Sequence, residues 1–168
     1  VIVKVATEPV CAYFFRVRVS DAHESSEWAA GRFSTTIPYF TADFITAKGV
    51  IDNPDNAMLA RRFRVDKPVR QARAFASALG LYTLYVNDER VGSDLLTPGF
   101  TEYDKRLLFQ SYDVTDMLKA GENWIGAMLA EGWYKGKLGF ENQKCLFGDT
   151  AALICELHIL YADGSRET

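Results

Sequence analysis

Three carboxylates and two histidines set the range of chemistry open to this chain. Glu102, Asp104 and Glu131 could supply the two carboxyl groups that glycoside hydrolysis places on either side of the scissile bond. Such a pair must stand roughly 5 to 10 Å apart, and in a chain with 22 acidic residues a solvated surface position is the ordinary explanation of each. His23 lies in a polar stretch and His158 alternates with apolar residues; neither has a GxSxG serine or a cysteine nearby, so no nucleophilic triad is signalled. The glycine-rich GWYKGKLG, 132–139, reads as lacking the strand-to-helix setting that turns backbone amides onto a phosphate.

Two oxygen-rich clusters have the side chains a hard cation such as calcium takes: Asp52, Asn53 and Asp55 in DNPDN, and Asn87 with Asp88. Neither has EF-hand spacing, and both also explain themselves as turn formers. The segment EGWYKGKLGF, 131–140, differs in kind. Trp133 and Tyr134 follow an apolar strand where it becomes loop, and aromatic faces at the rim of a β-sandwich are what the apolar C–H face of a sugar ring stacks against; the alternative is core packing of the rings. Cys11, Cys145 and Cys155 are odd in number and widely spaced, without a CxxC pair, and read as buried thiols rather than zinc ligands or disulfides.

The elements that must position these residues are strands. Most of the chain alternates apolar and polar residues with period two, broken by turn residues, and strands are predicted at about 58–65, 69–78, 81–87, 90–94, 106–112, 123–130 and 151–161. LYVNDERVGSD reads as strand, tight polar turn and strand, with Asn87 and Asp88 at the turn. Helical character appears only in YDVTDMLKAGEN, where Asp113 or Thr115 can cap, Met117 and Leu118 face inward and Gly121 suits a left-handed ending. The class is therefore all-β, a sandwich of jelly-roll type with one short helical turn.

Residues 1–36 stand apart. AYFFRVRV puts Tyr13, Phe15, Val17 and Val19 on one strand face, a polar stretch follows, and WAAGRFSTT returns; one hairpin is too short for a sandwich, which predicts that the chain begins inside a domain. Residues 37–57, with DNPDN, read as a linker carrying one short strand, and the trailing ADGS is hairpin chemistry that ought to introduce one more strand, which predicts a chain cut inside the domain at this end too. With 19 basic against 22 acidic residues and no basic stripe, nucleic acid is excluded as a partner. No apolar run approaches the roughly 18 to 20 residues that span a bilayer, so no membrane partner is expected, and VIVKV does not open like a signal peptide.

The pieces GLYTLYVNDERVG, PGFTEYDKR, YDVTDMLKAGEN and EGWYKG, in this order within 77–140, carry a resemblance. The run resembles the amino-terminal β-sandwich domain of bacterial alpha-L-rhamnosidases; the hairpin and the DVT…GEN turn are also similar to sugar-binding jelly rolls of beta-galactosidases, and GWYKG tips the choice. YFFRVRVSDAHESSEW is similar to the last hairpin of a fibronectin-like domain that precedes it in many such enzymes, and FTADFITA, 40–47, resembles the strand that follows, with Phe40 and Phe44 in place of tryptophans. The resemblance implies a galactose-binding-like jelly roll over 58–168. It further implies a noncatalytic piece of a larger glycoside hydrolase whose catalytic acids lie downstream in an (α/α)6 barrel. Some relatives bind L-rhamnose with calcium, which makes Asn87, Asp88, Glu131, Trp133 and Tyr134 the candidate sugar residues. Asn87-Asp88 stands where the family has Asn-Gly, which leaves the turn type open to shift, and Glu131 stands where many relatives have a neutral or amide residue. A beta-galactosidase-type sugar-binding jelly roll and a protein-binding sandwich are the alternative readings.

Overall fold

The computed structural model describes residues 4–47, 57–139, 141 and 143–168. They form two compact units, Val1–Tyr39 and Phe40–Thr168. In the first, β1 (Ala12–Val17) and β2 (Ala29–Ser34) make an antiparallel hairpin. Phe15 sits opposite Gly31, whose missing side chain leaves room for the ring, and Tyr13 stacks on Phe33 with centroids 5.3 Å apart. The polar stretch closes on itself: Asp21 Oδ1 accepts the N–H groups of His23 and Glu24, both at 2.8 Å.

The second unit is an all-β sandwich of β3 (Ala57–Val65), β4 (Val69–Leu79), β5 (Leu81–Val86), β6 (Glu89–Arg90), β7 (Gln110–Asp113), β8 (Gly121–Ala130), β9 (Ala152–Tyr161) and β10 (Arg166–Glu167). One sheet has the order β10-β9-β4-β7 and the other β3-β8-β5-β6, with every pairing antiparallel. The alternation of β4 explains the assembly. Ala72, Ala74, Ala76 and Ala78 face the other sheet, and their small side chains admit Tyr82, Leu84 and Val86 of β5 and Leu129 of β8 between the layers.

The opposite face of β4 is also buried, at Phe75 and Ser77, because residues 40–46 and the run before β7 lie over it. Phe109 stands between Phe40 and Phe75, at centroid distances of 5.5 and 6.4 Å, and Ser77 Oγ donates to the Leu108 carbonyl at 2.6 Å. A half-buried strand pattern thus becomes a strand buried on both faces. Burying one such phenylalanine contributes about 1.5 to 3 kcal/mol.

Several expectations are corrected. The strand predicted at 90–94 shrinks to Glu89–Arg90 and that at 106–112 to Gln110–Asp113, because the chain between them turns repeatedly: Gly92, Leu96 and Gly99 have φ of 70°, 57° and 101°. The helical turn is a 3₁₀ turn, Thr115–Met117, with Asp113 Oδ1 accepting from both Thr115 N–H and Oγ1. Gly121, φ 89°, opens β8 rather than closing that turn. The strand that ADGS ought to introduce already begins within the chain, where Arg166 and Glu167 pair with Leu160 and Ile159. Of the cysteines, Cys145 is exposed and Cys11 only half-buried; Cys155 packs against the core, where burial pushes its thiol up to about 12.

Candidate functional site

The Asn87–Asp88 turn joins Val86 to Glu89 as a two-residue hairpin loop. Its residues have φ of 49° and 70°, the paired positive values of a type I′ turn. The type I′ geometry favoured by Asn-Gly therefore forms here without glycine, because Asn and Asp tolerate the left-handed region better than other side chains. The Asn87 side chain is committed inward. Its Nδ2 donates to Met117 O at 2.8 Å and to Asn123 Oδ1 at 2.7 Å, while its Oδ1 accepts the Trp124 N–H at 3.1 Å. That leaves Asp88 as the exposed ligand of the turn, far short of the six to eight or so oxygens calcium takes, so Asn87 and Asp88 do not fit a calcium site. Asp52, Asn53 and Asp55 lie outside the described residues.

EGWYKG lies at the opposite end of the same sheet. β5 and β8 pair from Leu81↔Ala130 to Val86↔Ile125, so five residue steps, roughly 17 Å, separate the turn from the segment after Ala130. The five candidate sugar residues therefore form two groups. Glu131, Trp133 and Tyr134 are together; Asn87 and Asp88 are elsewhere.

GWYK is a single α-turn, Gly132–Lys135, so strand does run into helix here, contrary to the sequence reading. Gly132 has φ of 54°, and a Cβ there would stand 2.6 Å from Leu81 Cγ, which makes glycine the residue that fits. The turn swings Trp133 and Tyr134 against aromatic residues from two other loops. Phe100 meets the rings of Trp133, Tyr103 and Phe147 edge-on at 6.0, 5.9 and 5.9 Å, and Tyr103 meets Tyr134 at 5.2 Å. Trp133 and Tyr134 are half-buried, whereas Phe100 is 54 % exposed. Burial raises the pKa of the Tyr103 hydroxyl.

Glu131 lies beside this cluster with Lys135 Nζ at 3.5 Å and Lys144 Nζ at 4.0 Å. An exposed aromatic edge beside one carboxylate and two ammonium groups can hold the apolar face of a pyranose and hydrogen-bond its hydroxyls. Glu102 is exposed and paired with Lys105 at 2.6 Å, and Asp104 is exposed. Among the described residues no three His, Cys, Asp or Glu side chains converge as a metal site. His23 and His158 serve a loop and a strand face. Sequence reasoning missed Phe100, Tyr103 and Phe147; the first two are signalled by the aromatic pair of PGFTEY at loop positions, and Phe147 by nothing local.

The profile of the alpha-L-rhamnosidase N-terminal domain matches residues 67–168. The chain belongs to that family. An alpha-L-rhamnosidase of Streptomyces avermitilis is 37% identical to this rhamnosidase-family chain over 147 residues, 87% of the chain and 13% of that protein. One of Formosa agariphila is 35% identical over 126 residues, 71% of the chain and again 13% of that protein. The chain thus spans about an eighth of the length of these relatives. The crystal structure of native alpha-L-rhamnosidase from Aspergillus terreus superimposes with a TM-score of 0.84 at 32% identity, covering 95% of the chain and 20% of that structure.

Proposed function

We propose that this chain is a noncatalytic accessory part of an alpha-L-rhamnosidase, a larger glycoside hydrolase that releases L-rhamnose. In this reading it holds neighbouring domains in place and offers a carbohydrate-binding rim. Residues 1–36 end a fibronectin-like domain, 37–57 link it onward, and 58–168 form the amino-terminal sandwich beside an (α/α)6 catalytic barrel. The family match supports the scaffold role, together with the scattered, lysine-paired carboxylates, which suit surface rather than catalysis.

The single observation that carries the sugar role is the aromatic rim of Phe100, Trp133 and Tyr134 with Glu131 at its edge. A structure of the Streptomyces avermitilis alpha-L-rhamnosidase complexed with L-rhamnose, 42% identical over the 67% of this chain it matches, supports rhamnose as the sugar to try first. The test is a tryptophan-fluorescence titration with L-rhamnose, galactose as the control sugar, in calcium and in chelator. The expected result is a saturable, rhamnose-selective change that Trp133→Phe removes. A folded chain that shows no change is scaffold only. A change abolished by chelator moves the site to oxygen ligands outside the rim.

A further inference from the structure

On the outer face of the β10-β9-β4-β7 sheet, β9 carries an acid among buried apolar residues. Glu156 is 5 % exposed, between Ile154 and the half-buried His158. Its Oε1 accepts the Thr41 N–H, Thr41 Oγ1 at 2.9 Å and the Ala42 N–H at 2.8 Å; its Oε2 faces His158 Nε2 at 2.8 Å. A buried carboxylate is tolerated only with donors on it, and these come from a segment more than a hundred positions earlier. Farther along, Ile45 and Leu153 exchange both backbone hydrogen bonds at 2.8 Å, and Thr46 Oγ1 donates to Ala151 O at 2.7 Å. Residues 41–46 thus cover the part of the β9 edge that β10, paired at Ile159 and Leu160, leaves open. Phe44 and Ile45 remain 43 and 52 % exposed, so hydrogen bonds rather than apolar burial hold this stretch. It begins just past Tyr39, where the first compact unit ends.

We propose that the Glu156 carboxylate is an acid-sensitive clasp, holding residues 41–46 as a strap on the β9 edge, and that protonating it frees the strap while the sandwich stays folded. The charged and titratable groups around the clasp are His158 on its own strand, Arg73 opposite His158 on β4, Asp43 on the strap, and Cys155 next to it facing the core. Burial by itself raises the Glu156 pKa, but the hydrogen bonds from His158, Ala42 and Thr41 outweigh it and hold the group below its ordinary 4.5. A depressed folded-state value makes the clasp complete above that ordinary value and lost as pH falls from there through the lower folded value.

Site-resolved amide hydrogen exchange on this chain, expressed as protection relative to the intrinsic rate at each pH, tests the clasp. Between pH 7 and about 3.5, protection of Thr41, Ala42 and Ile45 is expected to fall severalfold, up to the roughly tenfold limit that a single carboxyl sets at that pH. The β4–β9 ladder keeps its protection. Glu156→Gln at pH 7 reproduces the loss and abolishes its pH dependence. Unchanged strap protection in acid, or a parallel loss through the β4–β9 ladder, overturns the proposal. If Glu156→Gln does not fold, the wild-type pH series decides by the same two readouts.

Discussion

The Asn87 side-chain amide donates to Asn123 Oδ1 at 2.7 Å, joining the β5–β6 turn to the start of β8. Asn123 is buried and fully used: its oxygen also accepts the Lys119 N–H at 2.9 Å, and its Nδ2 donates to the carbonyls of Lys119 and Gly121 at 2.7 and 2.9 Å. Asn123→Ala orphans all of these groups and should destabilise the domain by about 3 kcal/mol, Asn87→Ala by about 2 kcal/mol. In urea unfolding the double variant should cost less than the sum, because each single change already breaks the shared bond.

Asp88 holds φ of 70° at a type I′ turn position that glycine adopts without strain. Asp88→Gly relieves the left-handed strain and should raise stability by about 0.5 kcal/mol or slightly more, offset in part by the larger entropy of glycine in the unfolded chain. Asp88→Val, β-branched at the same angle, should destabilise instead. Thermal midpoints of the two variants on either side of wild type would bear this out.

Tyr134 lies over Gly148 so closely that a Cβ there would stand 2.2 Å from the ring hydroxyl. Gly148→Ala should therefore displace Tyr134 from Tyr103 at a cost of about 1 to 3 kcal/mol. In a Tyr134→Ala background the same substitution has nothing to strike and should cost little. The comparison, read by denaturation, separates a ring clash from a general intolerance of alanine in that loop.

Tyr161 hydrogen-bonds Glu167, which, with burial, pushes its hydroxyl up to about 12. Tyr82, buried and bonded to Ala76 O and Gln110 Oε1, is raised further, chiefly by burial. A tyrosine whose folded value lies above its unfolded value of about 10 stabilises fully below pH 10, and that contribution is lost as pH climbs towards the folded value. Spectrophotometric titration should show a late class of tyrosines that ionises with unfolding. Glu167→Gln should bring Tyr161 down and leave Tyr82 where it is.

Local chemistry is what the sequence by itself determined. Alternation placed most strands of the sandwich within a few residues, Asn87-Asp88 marked a hairpin, and four short motifs in order identified the family, because strand period, turn preference and motif spacing are written in consecutive residues. Only the tertiary structure decided which of those residues meet. Antiparallel register sent Asn87 and Trp133, both candidate sugar residues, to opposite ends of one strand pair. It brought Phe100 and Phe147 to Trp133 from separate loops and carried Thr41 to Glu156, 115 positions away. Side-chain partners so distant are selected by the packing of whole sheets, and no local pattern encodes that selection.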